Sequence, residues 1–115
     1  MKRVLLGSIT LILTMAACGD DEPAGPGGGA GDVAVRNDFF SPGDFNTSVG
    51  TAVTWAWNSG GVLHNVTFED GTGNSATQGS GTHQRTFGAA GTFRYRCTIH
   101  STNFTSGMVG SVVVQ

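Results

Sequence analysis

The chain has 115 residues, of which 12% are charged and 19 are glycine. That length allows one domain, and with a formal net charge of −2 and no long basic amphipathic segment, nothing in it suggests nucleic-acid binding. Valine, threonine, phenylalanine and tryptophan recur in short runs separated by Gly, Asn, Asp and Ser, which is the composition of an all-β protein.

The N-terminal segment reads as a signal. Lys2 and Arg3 are followed by the mainly apolar run Val4 to Ala17 and then by Cys18. A positive start, a short apolar stretch and small residues before a cleavage point form the layout of a secretory signal peptide. The run falls short of the roughly 20 residues a membrane-spanning helix needs, so an uncleaved anchor is the lesser alternative. Met15-Ala16-Ala17-Cys18 resembles the lipobox of bacterial lipoproteins. The resemblance implies cleavage after residue 17, lipidation of Cys18 and an exported, membrane-tethered chain on the periplasmic or cell-surface side. Several acyl chains anchor stably where one does not. Removing the signal leaves four arginines against eight acids, a net charge of −4; this gives a weak, salt-screened preference for basic partners.

Residues 18–31 contain GDDEPAGPGGGAG, with no apolar side chain larger than Ala, and are expected to form a flexible tether. The folded domain is expected over 32–115. Val33 and Val35 share one face of a first strand. A weaker strand is predicted near Phe45 to Val49. Thr51 to Trp57 puts Val53, Trp55 and Trp57 on one face. His64, Val66 and Phe68 form the next inward row. Asp70 to Gly81 (DGTGNSATQGSG) is polar and glycine-rich and reads as a surface loop. A further weak strand is expected near Thr82 to Phe87. In Thr92 to Cys97, Phe93, Tyr95 and Cys97 point one way and Thr92, Arg94 and Arg96 the other. Gly110 to Gln115 closes the chain. About seven or eight strands with no helical period predict a β-sandwich or barrel.

The alternation also gives directions. The face bearing two arginines must be the outer one, so Cys97 points into the core at the end of its strand. By the same logic His64 begins an inward row. His100 follows Cys97 by three residues, and Met108 lies between two glycines just before the last strand. If Cys18 is lipidated, Cys97 is the single free thiol of an exported chain, where unprotected thiols react. One thiolate, two imidazoles and one thioether suit copper, and a His, His, Cys set with a weak axial Met is the blue-copper arrangement. Zinc also accepts Cys and His, and Met108 alone could be a core gap-filler. His83 has polar neighbours and is expected to be an ordinary surface residue. Trp55, Trp57 and Tyr95 read as core.

These residues carry a family resemblance. His64-Asn65-Val66, Tyr95-Arg96-Cys97-Thr98-Ile99-His100 and Gly107-Met108-Val109-Gly110 resemble the plastocyanin and azurin branch of the cupredoxin family. Thr51 to Trp55 and Gly91-Thr92-Phe93 are similar to the strands that lead to its ligands. The resemblance covers 32–115. It implies a Greek-key β-sandwich with one copper ion on His64, Cys97, His100 and Met108. It also implies a bond from Asn65 to the backbone near Thr98, fixing the ligand loop. The chain departs from the pattern in the seven residues Ser101 to Gly107 before Met108, where plastocyanin-like sequences usually have fewer. The function implied is one-electron transfer by a monomer meeting redox partners transiently. Copper storage or delivery is the alternative. A multicopper enzyme would need more than three histidines, and Cys97 is flanked by Arg96 and Thr98.

Overall fold

The computed structural model describes residues 31–115. The predicted signal peptide, the Cys18 lipidation site and nearly all of the tether lie outside the described residues. Eight strands form: β1 (Val33–Arg36), β2 (Phe39–Ser41), β3 (Asp44–Thr47), β4 (Ala52–Trp57), β5 (Thr67–Phe68), β6 (Thr82–Thr86), β7 (Gly91–Arg96) and β8 (Val109–Val114). The described residues contain no helix.

The strands make two four-stranded layers, ordered β2-β1-β4-β6 and β3-β8-β7-β5. Both are mixed, because β1 pairs parallel to β4 and β3 parallel to β8 while the remaining neighbours are antiparallel. The chain changes layer at every connection except β1–β2 and β7–β8. It is an all-β sandwich, as the alternation predicted.

Period-2 alternation explains how the layers close. Val33 and Val35 of β1, and Val53, Trp55 and Trp57 of β4, turn inward from one layer. Tyr95 of β7, Phe68 of β5 and Val112 and Val114 of β8 meet them from the other. The contacts are largely aromatic edges on faces. Tyr95 meets Phe40 at 4.7 Å and 74°, and Trp55 at 5.5 Å and 89°. Each such pair adds about 0.5–1.5 kcal/mol beyond simple burial. Both tryptophans are buried.

Two departures from the sequence reading have local causes. Strand β2 is only three residues long and sits between turns, too short to show a period. The inward row His64, Val66, Phe68 is buried, but only Thr67 and Phe68 join a ladder. The segment before them is satisfied by the polar loop over residues 70–81. Ser75 Oγ accepts from Val66 N at 2.8 Å, Asn74 Oδ1 accepts from Phe68 N at 2.7 Å, and Ser75 N donates to Val66 O at 2.9 Å. Arg85 holds the start of that loop, bonded to Asp70 at 2.7 Å and to the Thr72 carbonyl at 3.0 Å, with its guanidinium over Phe68 and Phe87 at 4.4 and 4.5 Å.

One glycine marks a close approach. A Cβ at Gly110 of β8 would fall 2.5 Å from the Tyr95 ring and hydroxyl and 2.9 Å from the Gly43 carbonyl. Tyr95 is fixed by its aromatic neighbours, so the strand cannot accommodate a methyl group without moving apart. Gly110→Ala is therefore expected to destabilise the domain by about 1–3 kcal/mol, read as a lower midpoint in urea unfolding with an unchanged slope.

Candidate metal centre

Three side chains from two chain segments converge beside the core. His64 lies at the isolated bridge with Gln78, Cys97 directly follows β7, and His100 lies in the turn after it. His64 and Cys97 are fully buried, and the His100 side chain is 30% exposed. His64 Nδ1 and His100 Nδ1 are 3.1 Å apart. Cys97 Sγ is 3.8 Å from the first and 3.5 Å from the second.

These distances test whether an ion fits. A triangle of sides 3.1, 3.5 and 3.8 Å has its equidistant point about 2.0 Å from each corner. Metal bonds to imidazole nitrogen run near 2.0–2.1 Å and to thiolate near 2.3 Å. The three donors thus already surround a point at bonding distance. Burial, and after it the neighbouring His100, holds the His64 pKa below its ordinary value of 6.5, while the Asp38 carboxylate opposes the drop. The imidazole therefore favours the neutral form that coordinates metals.

The backbone fixes each donor. His64 exchanges both of its backbone bonds with Gln78 at 3.0 Å, and its carbonyl also accepts from Trp57 Nε1 at 3.2 Å. His100 N donates to the Cys97 carbonyl at 3.2 Å, and Cys97 N donates to the Met108 carbonyl at 3.0 Å. Met108 N in turn donates to the His100 carbonyl at 3.4 Å. Met108 is 1% exposed, on the same short backbone circuit as the other two.

The seven-residue loop before Met108 is packed by its own polar groups. Asn103 Oδ1 accepts from the backbone of Thr105 at 2.8 Å and of Ser106 at 2.9 Å. The buried Ser101 hydroxyl lies 2.6 Å from the Ser106 carbonyl. The Arg96 guanidinium bonds the Ser101 carbonyl and covers the Phe104 ring. At Gly107, φ is +83° and a Cβ would meet the His100 carbonyl at 2.7 Å, so the return to Met108 requires glycine.

Asn65 ties the two ligand segments together. Its Nδ2 donates to Thr98 Oγ1 at 2.8 Å and to Thr77 Oγ1 at 3.0 Å. Its Oδ1 accepts from Thr98 N at 3.0 Å and from Thr67 Oγ1 at 2.9 Å. All four valences of the amide are used. His83 is elsewhere: it is half-buried, bonded to the Gly73 carbonyl at 2.7 Å and set against Trp55. Thr77 and Gln78, which brace Asn65 and His64, gave no signal in a loop of Gly, Ser, Thr and Asn. Asp38, whose carboxylate lies 3.6 Å from His100 Nε2, was equally silent in the sequence.

Residues 32–115 match the copper binding proteins of the plastocyanin/azurin family. The chain belongs to that family, and its His, Cys, His cluster suits a single copper ion. Halocyanin of Natronomonas pharaonis is 34% identical over 88 residues, covering 71% of this chain and 52% of that protein. The chain thus spans about half the length of this relative. A purple cupredoxin from Nitrosopumilus maritimus shares the fold at TM-score 0.60 and 26% identity, over 72% of this chain and 97% of its own. A variant of amicyanin in a reduced Cu(I) form gives TM-score 0.59 at 28% identity, over 74% and 83%. Plastocyanin of Dryopteris crassirhizoma, at 20% identity and TM-score 0.62 over 72% and 98%, shows the fold alone.

Removing the Asn65 amide leaves Thr98 N without its partner. Thr98 is exposed and can be rehydrated, so in the metal-free protein Asn65→Ala is expected to cost about 1–2 kcal/mol, lowering the thermal midpoint by roughly 5–15 °C for a domain of this size. A melt followed by circular dichroism measures it.

Proposed function

We propose that this protein is a one-electron carrier that holds a single blue copper ion with His64, Cys97, His100 and Met108. The observation that carries the reading is the triangle of two Nδ1 atoms and one Sγ around a point at bonding distance. Bound copper supplies a couple between its +1 and +2 states. The protein's part is to present soft sulfur and imidazole together, a set between the preferences of the two states. The same backbone bonds hold the donors whichever state is present, so little rearrangement accompanies the electron. Similarity to amicyanin, described in both oxidised and reduced Cu(I) forms, supports the reading.

His100 is the electron's exit, because it is the one member of the triad that reaches solvent. Phe104 and Val109 are the apolar side chains of the loop and strand start that flank Met108. Both are half-buried, and Arg96 covers Phe104. Among the five large exposed apolar side chains, Leu63 (54%) and Ile99 (51%) are next to His64 and His100, and Phe39 (51%) is next to Asp38. These form the better contact for a redox partner, in the small interface typical of transient encounters. The protein acts as a monomer and catalyses no reaction of its own. A second copper centre would need further histidines, and His83 is bonded away from the cluster.

Adding Cu(II) to the purified domain is expected to produce intense visible absorption that disappears in Cys97→Ser. Reversible one-electron cycling at an electrode should follow, and a colourless or redox-silent complex would favour storage or delivery of copper instead.

The resemblance at Met15 to Cys18 supports an exported lipoprotein whose domain moves on a tether outside the membrane. Labelled fatty acid fed to expressing bacteria should enter the wild-type protein and not Cys18→Ala; equal labelling of both would remove the anchor from this account.

A further inference from the structure

Of the cluster's three residues, His100 is the one that reaches solvent, and a carboxylate faces it there. Asp38 Oδ1 lies 3.6 Å from His100 Nε2, the ring nitrogen opposite the one turned toward Cys97. That separation is a charge contact rather than a hydrogen bond. Asp38 belongs to the two-residue turn between β1 and β2, whose ends pair as Arg36 with Phe39. Its φ is +73°, and no other described non-glycine residue has a positive φ. Glycine adopts that conformation freely, whereas a residue with a Cβ does so at a penalty. Aspartate tolerates that conformation better than most residues with a Cβ, and here it holds the carboxylate beside His100. The other acids among the described residues are engaged elsewhere: Asp70 with Arg85, Glu69 with Arg94, Asp44 with the Ser111 hydroxyl and Asp32 with the Thr54 amide.

We infer that Asp38 is a positioning and tuning residue of the metal centre, whose negative charge, acting through His100, favours the oxidised over the reduced copper. The inference rests on His100 being a ligand. The physical basis is simple. A fixed negative charge stabilises a dication more than a monocation, so it raises the affinity for Cu(II) relative to Cu(I) and lowers the reduction potential. At the protein surface, a unit charge several ångströms away changes that affinity ratio by about threefold to tenfold. The Asp38 side chain is 68% exposed, so salt weakens the effect.

The test uses the copper-loaded full chain with two substitutions. Asp38→Asn keeps the shape and tolerates positive φ; Asp38→Gly relaxes the turn. Voltammetry at low and high ionic strength gives the potential, and competition with a chelator gives the Cu(II) affinity. Both variants are expected to keep the blue absorption and to shift the potential upward together. The shift should correspond to a threefold to tenfold change in the affinity ratio, tenfold being about 59 mV for one electron, and it should shrink in high salt. An unchanged potential in Asp38→Asn at low salt overturns the inference. A shift seen only with glycine, or loss of the colour in both variants, assigns Asp38 a purely structural role and overturns it too. Failure of the ligand reading looks different: the wild-type protein itself would take up no copper or would not cycle.

Discussion

The metal centre depends on one constraint: two segments far apart in the chain must meet without a covalent link. Cys97 and His100 come from the end of β7, and His64 from a stretch that is barely a strand. The amide of Asn65 supplies the link, with one donor and one acceptor placed on Thr98. A hydrogen bond between neutral groups contributes only about 1 kcal/mol net, but leaving a buried partner unsatisfied costs about 1–3 kcal/mol. The pair of bonds to Thr98 therefore acts less as glue than as a penalty against separation. That penalty falls on any movement that would pull His64 away from Cys97.

The rest of the fold supports this junction from behind. The aromatic cluster of Trp55, Tyr95, Phe68 and Phe40 fixes the inner faces of the two layers. Cys97 continues the inward row of Tyr95, so the position of its sulfur is inherited from core packing. On the other side, Gln78 stands in for a strand that His64 lacks. The loop that carries Gln78 is itself held at its start by Arg85 and Asp70. Packing thus places the thiolate, and a polar loop places the first imidazole.

This division explains what the sequence made legible. Alternation is a property of adjacent residues, so it revealed the strands Ala52–Trp57 and Gly91–Arg96 and the burial of His64 and Cys97. The short spacing from Cys97 to His100 was equally visible. Contacts made by loops left no such trace. Thr77 and Gln78 lie in a run of small polar residues in which any position reads alike. Asp38 is an ordinary turn residue until the fold brings His100 beside it. Strand β2 was missed because three residues between turns cannot display a period. What sequence alone conveys is the direction of side chains along strands; it says little about which loop lies over which strand end.

The long loop before Met108 shows why length is a poor guide to geometry. Doubling a flexible loop adds only about 0.6 kcal/mol of closure entropy, which a single hydrogen bond can offset. Here several are made: Asn103 organises the turn, Ser101 sits within it, and Arg96 clamps its start. Met108 meanwhile is placed by bonds that bypass the loop, its carbonyl to Cys97 and its amide to His100. Gly107 turns the chain back against His100 so that both bonds can form. The residues between His100 and Gly107 can therefore vary in number while the position of Met108 does not. The departure from the family pattern, in the seven residues before Met108, falls on a segment that does not determine where that residue lies.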